Sequence, residues 1–247
     1  MRMSAESSHV RDLAYSNASP DLARLQSRLP PLLSLIAGMV DVIGYLTLGK
    51  LFTAHVTGNL VVIAALLVRG GPPNLAQVLA VPVYIGAVAA VWVIAKALDR
   101  RGPVLATPLL LVQFALLACV LIVGVIYHPS AKPQGLVSGV TAMIAVSAMA
   151  CQFALLRLAV PRAPSTAVMT GNLTNSVLSL LDTLSPGEPL TKDARERLQN
   201  ALRVLIGFFA GCVAGAAAVS WLPDWAWLLP VLLAGIAVII TGRKMAS

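Results

Sequence analysis

One polar motif of eight residues occurs twice in this chain, each time at the start of an apolar stretch. Residues 53–60 read TAHVTGNL and residues 166–173 read TAVMTGNL, so both fit the pattern T-A-x-x-T-G-N-L. We call these segments box 1 and box 2. Thr, Gly and Asn are poor choices for a surface that faces lipid, so polar boxes at membrane depth are expected to line a cavity or a helix contact. Their recurrence half a chain apart indicates a duplicated membrane protein.

The polar side chains of the boxes are the first candidates for binding a solute: Thr57, Asn59, Thr170 and Asn172. Each box is expected to open a helix, where about four backbone N–H groups lack internal partners. The threonines are natural caps for such a start, and the asparagines can donate and accept hydrogen bonds between the boxes. Gly58 and Gly171 allow a close backbone approach or a break before the helix. The structural alternative is that buried asparagine simply holds helices together.

Asp41 is a carboxylic acid about ten residues into the first apolar stretch. A carboxylate at that depth costs about 2.5–3.5 kcal/mol on insertion scales, so it is expected to face the protein interior and to have a partner. It is a candidate proton or cation site. The alternatives are a structural ion pair and a carboxyl kept neutral by burial. A nonpolar replacement is predicted to abolish function and to spare folding.

His55 of box 1 and Arg157 are the basic candidates near this depth. No other ligand stands at metal spacing from His55, so we expect a pore-lining or hydrogen-bonded histidine, with proton relay as the alternative. Val168 holds the equivalent place in box 2, which makes the site asymmetric. Arg157 is expected to anchor the end of its apolar stretch at the membrane interface, or else to neutralise Asp41.

The composition places the chain in a lipid bilayer. Of its 247 residues 58% are hydrophobic and only 11% are charged, whereas soluble domains have about 25% charged residues. The net charge of +8 does not indicate nucleic acid, because the basic residues lie in short loops and near the ends, as in cytoplasmic loops of membrane proteins. No disulfide framework, metal site, cofactor motif or catalytic set is recognisable, so we expect no enzyme activity and no cofactor.

Eight apolar segments predict an all-α transmembrane helical bundle. They cover approximately 31–49, 54–68, 75–98, 107–127, 136–160, 165–183, 198–222 and 225–242. A span needs about 20 apolar residues, but the box 1 segment has about 15 before Arg69 and the box 2 segment is interrupted by polar residues. We therefore predict six full spans and two short box segments. A tail at 1–30 would precede a membrane domain at 31–247, with repeated halves at about 31–127 and 136–242.

The distribution of Lys and Arg favours re-entrant box segments over the alternative of eight full spans, in which the repeats would be parallel and both boxes would lie on one side. With six spans and a cytoplasmic N-terminus, only Lys50, Arg69 and Lys132 fall outside, and positive residues prefer the cytoplasmic side. Both termini are then cytoplasmic. Three spans per half is an odd number, so the halves would be inverted, and the boxes would converge near the midplane around one central polar site. Residues 21–29 are expected to form a short interfacial helix.

Two sequence signatures resemble those of the YoaK family of bacterial inner-membrane proteins. The first comprises residues 41–49 (DVIGYLTLG), Phe52 and residues 57–59, and the second comprises Gln152, residues 156–158, residues 160–161 and the box 2 threonines. The resemblance covers roughly residues 30–242 and implies a polytopic membrane protein with about six spans, without naming a substrate. It adds Tyr45 and Gln152 to the binding candidates. His55 and Phe153 stand where relatives often carry Asn.

Gly207, Gly211 and Gly215 lie on one face of the seventh segment, as is typical of close helix packing or dimerisation. The most direct hypothesis for the whole chain is a channel or transporter for a small solute. The alternative is a scaffold or regulator that assembles as a homo-oligomer through this glycine stripe, and a membrane enzyme ranks third. A scaffold requires the stripe to be exposed, whereas transport requires a polar cavity.

Overall fold

The computed structural model describes residues 20–69, 74–98, 102–160, 163–184 and 192–245, and these form helices joined by short loops. The expected all-α class is confirmed. In chain order the helices are α1 Pro20–Thr47, α2 Val56–Arg69, α3 Leu75–Ala97, α4 Ala106–Tyr127, α5 Leu136–Ala159, α6 Met169–Leu184, α7 Lys192–Trp221 and α8 Leu228–Met245. Short 3₁₀ turns at Gly102–Leu105, Pro129–Ala131 and Trp225–Trp227 lie in the connections.

Six helices are long and apolar enough to cross a membrane, as the sequence predicts. The two that follow the boxes are shorter, with 14 residues in α2 and 16 in α6. At about 1.5 Å per residue these helices reach about 21 and 24 Å, less than the roughly 30 Å of a hydrocarbon core. Length therefore separates the box helices from the spans.

The first helix differs from the prediction at its beginning. It runs without interruption from Pro20, through Pro30 and Pro31, into the first span, so the boundary predicted at residue 30 falls inside it and residues 21–29 are not a separate interfacial helix. Leu29 is buried in the protein, which explains why this turn continues the span. The predicted tail at residues 1–19 lies outside the described residues.

The pattern of the main helix contacts stays the same when each helix of the first half, α1–α4, is exchanged with its counterpart in the second half, α5–α8. α1 packs on α7 as α5 packs on α3, α4 packs on α5 as α8 packs on α1, and α2 packs on α3 as α6 packs on α7. The remaining main contacts, α1 with α5 and α4 with α8, map onto themselves. Corresponding helices of the two halves therefore make corresponding contacts, as expected for a duplicated chain.

The glycine stripe of α7 faces α1 within the same chain. A Cβ atom added at Gly207 would lie 2.8 Å from the carbonyl oxygen of Pro31, and one added at Gly211 would overlap the carbonyl group of Leu35. Gly215 is also buried against α1. Small residues let the two backbones approach closely. The stripe is thus an internal packing surface and not the exposed face that the scaffold hypothesis requires.

Candidate functional site

The carboxylate of Asp41 holds the loop of box 1 against the middle of α1. Asp41 is 5% exposed. Its Oδ1 atom accepts hydrogen bonds from the backbone N–H groups of Thr53 at 2.8 Å and Ala54 at 2.9 Å. The Thr53 hydroxyl donates to the carbonyl oxygen of Val40 at 3.0 Å. The interior position and the polar partners agree with the prediction for an acid at this depth, and they show that Asp41 also has a structural task.

The ionisable partner of Asp41 is His55 and not Arg157. Nδ1 of His55 lies 2.7 Å from Oδ2 of Asp41, and a third of the His55 side chain (33%) is exposed. With a carboxylate on Nδ1, the neutral ring carries its proton there and leaves Nε2 as an acceptor. The ring also meets Phe208 of α7 edge-on, with centroids 5.1 Å apart. His55 therefore joins α1, box 1 and the opposite half of the molecule.

The two box asparagines close their own loops and do not bond to each other. Asn59 accepts from the backbone N–H of Phe52 at 2.9 Å and donates to the carbonyl oxygen of Phe52 at 2.8 Å. Asn172 donates to the carbonyl oxygen of Ser165 at 2.7 Å. In both boxes the partner stands seven residues before the asparagine. The prediction that these amides bridge the boxes is wrong, because each amide satisfies the backbone of the turn that precedes its helix.

Thr57 and Thr170 are not helix caps. α2 begins at Val56 and α6 at Met169, so both threonines lie inside the first turn, with exposed side chains. The helix starts earlier than predicted because Gly58 N–H already bonds to the carbonyl oxygen of His55 at 2.8 Å. The donors just before α2 are satisfied by the carboxylate of Asp41 instead, an anion near a helix N-terminus.

Gln152 has a comparable position beside box 2. Its Nε2 group donates to the carbonyl oxygen of Leu33 in α1 at 2.9 Å and lies 3.4 Å from the hydroxyl of Thr166. Its Oε1 atom accepts from Nε2 of Gln113 in α4 at 2.7 Å. Gln113 is a member of this network that the sequence reasoning missed, although a lone amide inside an apolar segment is itself a signal of an interior polar contact.

Both boxes begin beside the middle of α1. Thr53 bonds to Val40, and Thr166 meets Gln152, which bonds to Leu33. Residues 33 and 40 are about 10 Å apart along a helix. The boxes therefore reach the same helix at levels about two turns apart, box 1 directly and box 2 through Gln152.

Two cavities lie beside the box helices, one in each half. Cavity 1 has about 770 Å³ and is lined by the end of α1 with Tyr45, by Val62 and Leu66 of α2, by the start of α3 and by residues 132–135. Cavity 2 has about 620 Å³ and is lined by box 2 residues, by Asn175 and Ser179 of α6, by the start of α7 and by Arg157. Val62 and Leu66 map onto Asn175 and Ser179 with the same offset that maps box 1 onto box 2.

These two cavities correct the expectation of one central site. Among the described residues, neither cavity is lined by both boxes, and neither is lined by Asp41 or His55. Box 2 contributes Val168, Gly171 and Asn172 to cavity 2, whereas no residue of box 1 lines cavity 1.

Six apolar spans and a duplicated polar motif define a polytopic integral membrane protein. The chain belongs to the family described as "Protein of unknown function (DUF1275)", whose pattern matches residues 29–240. It is also similar to the UPF0700 transmembrane protein YoaK of Bacillus subtilis (strain 168), with 56% identity over 41 residues. That match covers 17% of this chain and 18% of the relative. The resemblance predicted from the two signatures is confirmed, and no solved structure matches.

Proposed function

We propose that this protein is a carrier for a small solute that works by alternating access between cavity 1 and cavity 2. The observation that supports this most directly is the correspondence of the two cavities. They lie beside equivalent box helices, share two equivalent lining positions (Val62 with Asn175, and Leu66 with Ser179) and belong to halves with exchangeable packing. In inverted-repeat carriers one half rocks against the other around a fixed middle. A channel would instead require one continuous polar path.

The orientation follows from the positive-inside rule. The protein lies in the bacterial inner membrane with both termini in the cytoplasm, so cavity 1, flanked by Lys50 and Lys132, opens to the outside and cavity 2, flanked by Arg157, opens to the cytoplasm. The scaffold alternative loses its main support because the glycine stripe is occupied by α1. No enzyme activity belongs to this proposal.

The Asp41–His55 pair is the candidate coupling site of the carrier. Imidazole changes charge near neutral pH, and His55 touches α1 of its own half and Phe208 of the other half. Cys212 of α7 also interacts electrostatically with Asp41. Protonation of His55 adds charge to its bond with Asp41 and so strengthens the contact between box 1 and α1.

Alternating access can be tested without knowing the solute. In a background without native cysteines, Val62→Cys reports on cavity 1 and Asn175→Cys on cavity 2. A bulky maleimide attached at position 62 holds cavity 1 open, so the cysteine at position 175 should react more slowly with a membrane-impermeant reagent. Position 61 provides the control, because Val61 is 70% exposed on the outer surface of α2. Maleimide attached at a cysteine there should leave position 175 unaffected.

Equal reactivity of position 175 after either modification would contradict the carrier and favour two independent, static pockets. The same reporter tests the coupling site. Reactivity at position 62 should differ between about pH 5 and pH 8, the range in which imidazole changes charge. This difference should vanish in His55→Gln and persist in His128→Gln, whose imidazole lies in an exposed loop.

A further inference from the structure

Cavity 1 has a positive rim. Lys50 and Lys132 both line it, and among the described residues that line it none is acidic. Both lysines are exposed, and no carboxylate is among the described residues that line the cavity with them. Two cations that share a cavity repel each other, and an anion between them removes that repulsion.

The rim is built by the meeting of three separate segments. Gly49 has a φ of 80° and Lys50 a φ of 59°, a backbone conformation that lysine rarely adopts. A Cβ atom added at Gly49 would lie 2.6 Å from Nδ2 of Asn74 and 2.7 Å from the carbonyl oxygen of Pro133. The end of α1, the start of α3 and the loop before α5 are therefore in close contact here, and this contact places Lys50 and Lys132 at the same cavity.

A buried amide in the same cavity has one unsatisfied atom. Gln77 of α3 is 3% exposed and lines cavity 1. Its Nε2 group donates to the carbonyl oxygen of Lys50 at 3.2 Å, and among the described residues its Oε1 atom has no hydrogen-bond partner. A buried acceptor without a partner is costly, so a ligand that brings an O–H or N–H group to this position is favoured.

Cavity 2 repeats the same chemistry on the other face. It is lined by Arg157 together with neutral polar side chains, among them Asn175 and Asn200, and none of its described lining residues is acidic. A solute that passes from one cavity to the other therefore meets a cation and neutral amides at both ends. Positive charge at both cavities is expected of a substrate pathway, whereas an accidental patch would occur at one cavity alone.

We infer that the solute is a small organic anion that also carries a hydroxyl or amino donor, with its acidic group between Lys50 and Lys132 and its donor on Oε1 of Gln77. This inference rests on the proposed carrier function and names its substrate class. The same chemistry exists in the headgroup of an anionic lipid such as phosphatidylglycerol. An apolar groove lined by Leu75, Leu79 and Val140 adjoins cavity 1, and the two share Asn74 and Gln134.

The test uses the full-length protein in phosphatidylcholine vesicles loaded with a defined mixture. The mixture contains four compounds. Gluconate is an anion with hydroxyl groups, and sorbitol is its neutral counterpart. Hexanoate is an anion without hydroxyl groups, and choline is a cation. Mass spectrometry follows release of each compound relative to protein-free vesicles. Gluconate should leave fastest. Lys50→Gln combined with Lys132→Gln should slow its release by about tenfold, because each variant removes a charge-assisted contact.

Two further variants keep the result interpretable. Lys96→Gln is the matched control, because Lys96 lies over the ring of Trp92 and outside both cavities, and it should release gluconate normally. Gln77→Glu preserves the size of the side chain and puts a carboxylate beside the lysines, so it should exclude gluconate even if the double lysine variant folds poorly.

The outcomes separate the two proposals. Faster release of sorbitol or choline than of gluconate would overturn the anion inference and leave the carrier intact. Release no faster than from protein-free vesicles, for every compound, would overturn both. A second arm measures thermal stability in vesicles with and without phosphatidylglycerol. If the lysine variants lose stabilisation by this lipid while gluconate release is unchanged, cavity 1 is a lipid-headgroup site and the substrate assignment is wrong.

Discussion

Removal of the Asp41 carboxylate should release box 1 from α1. In Asp41→Ala the backbone N–H groups of Thr53 and Ala54 lose their acceptor, and each buried, unpaired donor costs about 1–3 kcal/mol. The bond to His55 is lost as well. Part of the cost is offset because a buried acid is no longer held in the membrane, where it costs about 2.5–3.5 kcal/mol. We expect a net loss of about 3 kcal/mol in the stability of the box 1 loop, at the lower end of the range for broken buried pairs.

Hydrogen exchange measures this loss locally. A loss of about 3 kcal/mol corresponds to roughly hundredfold faster exchange of the backbone amides in residues 53–60. Asp41→Asn retains one acceptor oxygen and should lie between wild type and Asp41→Ala. Ser34→Ala is the matched control in the same helix, because it removes one bond, from Oγ of Ser34 to the carbonyl oxygen of Val204 at 2.6 Å. It should leave box 1 unchanged.

Wild-type exchange rates in box 1 of Asp41→Ala would refute this reasoning, because they would show that the carboxylate does not hold the loop. The bonds from Asp41 to the box 1 backbone argue against the expectation from the sequence that a nonpolar residue at position 41 spares folding. Loss of transport in such a variant cannot by itself demonstrate a proton site. The coupling role is tested with a His55 variant, because substitution of His55 leaves the bonds between Asp41 and the backbone in place.

Three further predictions follow from the packing and the loops. Gly211→Leu should prevent α1 from packing on α7 and abolish recovery of folded protein in size-exclusion chromatography, whereas Gly86→Leu, where nothing lies within 4 Å of an added Cβ, should be tolerated. Asn59→Ala should lower the melting temperature more than Asn172→Ala, because it removes two loop bonds at about 1 kcal/mol each instead of one. A cysteine label at Arg101 should react only from the cytoplasmic side, and labelling from outside would contradict the six-span topology.

The spans and the duplication could be predicted because both depend on local sequence. Segment limits from hydropathy agree with the helices to within about four residues, apart from the starts of α1 and α7. The tail was expected to end at residue 30, but α1 begins at Pro20 and already buries Leu29. Hydropathy identifies the residues that can face lipid, but it does not show how far a helix extends beyond its apolar stretch.

The partners inside the bundle could not be read from composition in the same way. Arg157 was a reasonable partner for Asp41 by charge, yet the chain reverses after α1 and brings His55 back to the depth of Asp41. The signal was available, because re-entry of box 1 and the mid-span position of Asp41 together place the two at one level. The box asparagines were misjudged for a related reason: a tight re-entrant turn leaves its own backbone groups to satisfy, and nearby amides do so first.

The two halves share a backbone frame but differ in chemistry. In the first half the box is held by an ionisable pair, Asp41 with His55, and in the second half by the neutral amide of Gln152 with Val168 in the place of the histidine. Two halves with the same frame allow two conformations of similar energy, because exchanging the roles of the halves converts one conformation into the other. Because only the first half contains a charge that can change, the energies of the two conformations depend on protonation. The asymmetry between the boxes is therefore what would give a symmetric carrier a direction.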